Sequence, residues 1–339
     1  MRKRSFFLVG GACLATLSLT MSTALADPAN PAGPRLLPGV GSDTTQAVMN
    51  SYANGTTASD PDFGGVVAAD NVTKIVASYD AVGSATITTK NEAACTNIPR
   101  PNGSTAGVNA LAGLLAGFPA DCAEWARSSN NDSANRAGQN LTYIPFALDG
   151  LTYATLPSSD VPRNLSLSTL QTIYRANVGD ATCNDANDFQ PLIPQAGSGT
   201  RAFWNTLVGP FGTCPKDVVG GTPVQEHDGR LLTNAKQLMP FGVGPWITQA
   251  TTTTGAVRNG PAVLRGIGGQ SPYDLADFPG ARPLFNVVRT ADVADPNFVR
   301  AFGTAAQGGQ ICAHPEVLEA HSLAPHPNCG STAIVTPPN

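Results

Sequence analysis

The chain has 339 residues, 42% of them hydrophobic and only 13% charged, with a formal net charge of −4. It has no bulk basic charge with which to seek nucleic acid or an anionic membrane, so an anionic ligand must be won by local groups. The length is too great for one small core and suits two lobes.

The elements in chain order begin with a leader. Arg2, Lys3 and Arg4 precede an apolar run from Phe6 to about Leu19, and Ala24-Leu25-Ala26 has the small-x-small form of a cleavage site. Residues 1–26 read as a secretory signal peptide, too short and too early for a membrane span. Cys13 follows Gly10-Gly11-Ala12, without the leucine of a lipoprotein signal. The protein is therefore expected to be secreted or periplasmic and to begin near Asp27. Losing the three leader cations takes the formal charge from −4 to about −7. Proline-rich residues 27–35 read as a disordered lead-in.

Short strand-like runs then alternate with helical patterns. "KIVASYD" (74–80) and "SATITTK" (84–90) are rich in β-branched residues. "TAGVNALAGLLAGF" (105–118) has helical apolar spacing through Val108, Leu111, Leu114 and Leu115. "LTYIPFALDGLTYATL" (141–156) reads as two buried strands broken at Asp149-Gly150. "NLSLSTLQTIYRANVGD" (164–180) reads as a helix capped by Ser166 or Ser168, with Leu167, Leu170, Ile173 and Tyr174 inward. "NAKQLMPFGVGPWITQA" (234–250) reads as a short helix, a Pro-Gly break and a strand. This alternation predicts an α/β protein.

Six cysteines follow the leader: Cys95, Cys122, Cys183, Cys214, Cys312 and Cys329. In an oxidising compartment they predict disulfides, and nearest-neighbour pairing brackets one loop-rich segment per bridge. A competing reading groups Cys312, His314, His321, His326 and Cys329 as a metal site.

Four turns share one chemistry. Gly41-Ser42-Asp43-Thr44, Gly103-Ser104-Thr105, Arg127-Ser128-Ser129 and Ser198-Gly199-Thr200-Arg201 place small hydroxyl residues and glycine at turns, three of them before a helical pattern. A helix start leaves backbone N–H donors unpaired and carries about +0.5 charge. Glycine admits close approach, hydroxyls add donors, and Arg127 and Arg201 supply formal charge, a combination that suits a small oxyanion. Any one such turn is also an ordinary helix cap. The set of four supports the candidate ligand-binding residues Ser42, Asp43, Thr44, Ser104, Arg127, Ser128, Ser198, Gly199, Thr200 and Arg201.

The order of these turns resembles the phosphate-binding proteins of bacterial phosphate ABC transporters, a type II periplasmic binding protein family. "GVGSDTT", "GSTAG" (103–107), "ARSS" (126–129) and "GSGT" (197–200) correspond to its ligand turns. Scarce lysine and abundant alanine resemble an actinobacterial-like, high-GC composition. The resemblance implies two α/β lobes with a ligand cleft between them and two crossover strands, near Pro145 and Gly244. Lobe one would be 36–145 plus 246–335, and lobe two 146–245. It implies a phosphate-capturing monomer that hands its ligand to an ABC transporter permease, with no cofactor.

Two positions depart from the family. Its arginine four residues before the serine of Ser-Gly-Thr is Pro194 here, and its aspartate after the serine of the third turn is Ser129. Arg127 and Asp43 are the expected replacements. Glu226, His227 and Asp228 are expected in a solvated polar loop, with the cleft border as their alternative. The rival classes are a secreted phosphate-ester hydrolase and a surface or sensing protein that reuses the binding fold. The hydrolase lacks a Gly-x-Ser-x-Gly elbow and clustered Asp/His ligands.

Overall fold

The computed structural model describes residues 27, 34–55, 63–181, 183, 189–251 and 257–338. The expected signal peptide and most of the expected lead-in lie outside the described residues.

A mixed ten-stranded sheet forms the framework. Its strands are β1 (Leu37–Gly41), β2 (Val76–Ser78), β3 (Trp125–Ser128), β4 (Leu141–Thr155), β5 (Gln190–Pro191) and β6 (Gln237–Gly242). They continue with β7 (Val263–Leu264), β8 (Ala281–Arg289), β9 (Ala324–Pro325) and β10 (Ile334–Val335). The order is β2-β1-β3-β8-β4-β6-β5, with β7, β9 and β10 also paired to β4. The pairs β1/β2, β1/β3 and β6/β5 are parallel, whereas β8 runs antiparallel to both β3 and β4.

The 15-residue strand β4 crosses the molecule unbroken. Its first half pairs with β8 and its second half, from Leu151, with β6. Asp149 does not end the strand, because Arg282 of β8 lies directly opposite it in register. Gly150 has no room for a side chain: a Cβ there would sit 2.7 Å from the Pro272 carbonyl oxygen.

Each half has its own core. Leu37, Met49, Tyr52, Trp125, Phe146, Leu284 and Phe302 pack in the first. Leu151, Tyr153, Leu170, Tyr174, Trp204, Leu238, Ile267 and Phe278 pack in the second. Ile267 and Phe278 thus belong with the second lobe, and β7 pairs with the second half of β4. The return passage therefore lies at Ala281–Arg282, later than the expected crossing near Gly244.

Helices α1 (Gln46–Asn54), α2 (Ser104–Leu111), α3 (Leu167–Arg175), α4 (Gly199–Val208) and α5 (Val243–Thr251) cover the sheet. Ser166 caps α3 by accepting from Thr169 N, and Leu170, Ile173 and Tyr174 are buried. Each such side chain contributes roughly 1.5–3 kcal/mol. Helix α2 ends at Leu111, and Leu114 is exposed. Residues 234–250 reverse the expected order, with strand β6 first and helix α5 second. The strand is buried throughout between β4 and β5, and Pro245 falls in the first turn of α5, where proline is tolerated.

Cys95–Cys122, Cys183–Cys214 and Cys312–Cys329 are disulfides, the nearest-neighbour pairing. The Cys/His cluster is thereby accounted for. Cys312 and Cys329 bond each other, His314 meets Glu316, and His321 lies between Ser51 and Thr248.

Candidate oxyanion cleft

All four turns meet at the junction of the lobes. Strand β1 delivers the first, and Gly41 there has φ +119° with Arg127 O only 2.7 Å from where a Cβ would sit. Glycine is the residue that this turn admits. Beyond it Ser42, Asp43, Thr44 and Thr45 are all buried. The N-cap residues of α1 (Thr45) and α2 (Gly103) make no side-chain capping bond. Ser198 does cap α4, accepting from Arg201 N at 2.9 Å.

The contacts across the junction are close. Thr44 Oγ1 of the first lobe and Thr200 Oγ1 of the second lie 3.3 Å apart. Both donate to Glu226 Oε2, at 3.2 and 3.1 Å. Ser42 donates to Ser129 Oγ at 3.2 Å, and Ser129 N donates to Ser104 Oγ at 3.1 Å. Gly199 lies against this pair: a Cβ there would fall 2.1 Å from Ser104 Oγ and 2.5 Å from Ser129 Oγ. Backbone joins the lips as well, since Thr105 N donates to Gly197 O at 3.1 Å.

The charges are distributed differently from the sequence expectation. Arg127 is fully buried, but its donors go to Ser42 O, Gly41 O, Tyr79 O and Ser78 Oγ. It braces the first turn from behind. Burial lowers its pKa to about 10, against the pull of Asp80 and Asp43. Arg201 turns away to Pro194 O and Asp217. Ser128 closes a local turn on Asn130.

Asp43 is gripped from the second lobe by Arg258 Nη2 at 2.6 Å and faces His227 Nδ1 at 3.1 Å. Burial pushes its carboxyl up, but Arg258 and His227 outweigh this and hold it below the usual carboxylate range. The expected solvated loop at 226–228 is instead buried, because these two lobe-closing contacts and the Glu226 bonds draw it into the junction.

Arg282 is the cation that the motifs did not reveal. Both it and Asp149 are 0% exposed and are joined at 2.9 Å. Its remaining donors reach Thr200 Oγ1 at 3.1 Å and Thr44 Oγ1 at 3.4 Å. Guanidinium charge is thus passed through two hydroxyls to the centre of the cleft. The signal for it was Asp149, a carboxylate inside an otherwise uncharged, buried strand, which requires a buried cation.

No protein-family model matches the chain, and no curated protein matches it in sequence. Among solved structures, an ABC-type phosphate transport receptor from Vibrio cholerae is similar at 17% identity and TM-score 0.50, covering 85% of this chain and 99% of that one. A putative phosphate ABC transporter substrate-binding protein from Clostridium perfringens is similar at 15% identity and TM-score 0.49, covering 86% and 99%. The fold is that of a two-lobed type II periplasmic binding protein.

Proposed function

We propose that this chain is a secreted or periplasmic solute-binding protein that captures a small oxyanion, phosphate foremost, between its lobes for uptake by an ABC transporter. The observation that carries this is the convergence of Thr44 and Thr200. Two hydroxyls from different lobes aim at one point, with the Arg282 guanidinium behind both. Such donors suit a tetrahedral anion, and their division between lobes couples binding to closure. Ser104, Ser129 and the first turn of α4 stand beside them. The similar fold of the Vibrio receptor supports the same role.

Calorimetric titration of the mature protein with inorganic phosphate tests this. One site is expected, and Thr200→Val should weaken it roughly tenfold to a hundredfold, as a charge-assisted hydrogen bond is lost. A bound anion also raises the melting temperature by mass action. No heat and no thermal shift with phosphate, arsenate or sulfate refutes the reading.

A further inference from the structure

Glu226 stands at the point where Thr44 and Thr200 converge. It comes from the second lobe and is 1% exposed. Its Oε2 accepts both threonine hydroxyls, and both hydroxyls in turn accept from Arg282. A hydroxyl has a single proton, so one that donates to Glu226 has none left for a ligand. Glu226 Oε1 is buried too and has no hydrogen-bond partner among the described residues.

The surrounding charge is already matched. Arg282 faces Asp149 as well as the hydroxyls, and Arg258 gives Nη2 to Asp43 and Nη1 to the Glu226 carbonyl. Arg127 spends its donors on backbone oxygens and Ser78. Three buried guanidinium groups thus stand beside three buried carboxylates: Asp43, Asp149 and Glu226. A soluble anion arriving at these donors meets a like charge that holds them already.

We propose that Glu226 is a tethered anion, which competes with the soluble ligand for Thr44 and Thr200 and so sets the affinity of the cleft. This rests on the oxyanion reading above. The carboxylate joins a hydroxyl of each lobe, and it thereby stabilises closure from within the chain. Ligand binding then requires Glu226 to give up both hydroxyls.

The test is titration of the mature protein, Glu226→Gln and Glu226→Ala with inorganic phosphate. Glutamine keeps the shape and loses the charge; alanine removes the side chain. Both variants should bind at least about tenfold more tightly than the parent, the value of one hydrogen bond to a charged group. Should the alanine variant fail to fold by circular dichroism, Glu226→Ser takes its place. Parent binding with equal or weaker binding in the variants overturns the proposal and leaves the oxyanion reading intact. A gain confined to glutamine, whose amide is itself a donor, also overturns it. If none of the proteins binds, the oxyanion reading falls and the proposal with it.

Discussion

Replacing Arg282 by methionine isolates the ion pair at the centre of the molecule. Arg282 and Asp149 are both 0% exposed. Two donors of Arg282 reach Asp149 Oδ2, at 2.9 and 3.2 Å, and Asp149 Oδ1 accepts Gly244 N at 3.0 Å. Without the cation, the carboxylate keeps one backbone donor and is cut off from water. Unit charges 4 Å apart interact by about 4 kcal/mol at an effective dielectric of 20. Removing one partner of a buried pair typically costs about 3–5 kcal/mol. Methionine fills much of the arginine stem volume, so cavity formation adds little. Urea denaturation of the protein should show a loss of about 3–5 kcal/mol with an unchanged slope. Adding Asp149→Leu should recover most of it, because the orphaned charge goes as well. A single variant that loses under about 1 kcal/mol, or a double variant no better than the single, refutes the reasoning.

Gly199→Ala should hold the lips apart, since its Cβ would lie 2.1 Å from Ser104 Oγ and 2.9 Å from Ser104 Cβ. A larger radius of gyration in solution scattering and weakened phosphate binding are expected, and unchanged values of both count against the close approach. His321 and Asp80 should oppose each other in acid. Burial lowers the His321 pKa from 6.5 to about 4, so the unfolded chain takes up the proton first, and stability falls as pH drops through that window. Burial raises Asp80 from 3.8 to about 6, so the folded chain takes up the proton first, and stability rises as pH drops from 6 towards 4. Each contribution is about 3 kcal/mol, so Asp80→Asn should expose a steep acid loss and His321→Gln the reverse slope. Denaturation curves at pH 4 and pH 6 with no such divergence dismiss both environments. Replacing Cys312 and Cys329 by alanine opens a 17-residue loop and should cost about 3 kcal/mol, read as a lower denaturation midpoint.

The fold class and the disulfide pairing were legible because they depend on local pattern. Alternating strand and helix signals, and cysteines that bracket single loops, need no knowledge of distant contacts. The hydroxyl turns were legible for the same reason: Ser42, Thr44, Ser104 and Thr200 each sit at a glycine-marked turn, and all are buried near the junction. The charges were not legible. Arg127 looks like a ligand donor by position, yet the carbonyls of the first turn and of Tyr79 take its side chain. Arg282 and Arg258 carry no motif and act through Asp149 and Asp43, which are far away in sequence. The loop at 226–228 reads as solvated because its residues are polar, and only tertiary pairing pulls it inside. Strand β6 was misread as a helix because a short apolar run bounded by proline and glycine has no decisive period.

Strand β4 has a mechanical consequence. Both passages between the lobes lie side by side, at Asp149–Gly150 and Ala281–Arg282, within a single hydrogen-bonded ladder. Such a ribbon resists bending in its own plane but yields to torsion. Relative movement of the halves must therefore pass through twisting or out-of-plane bending of this ribbon, so a few degrees at the Asp149–Arg282 axle are enough to displace the distant rims.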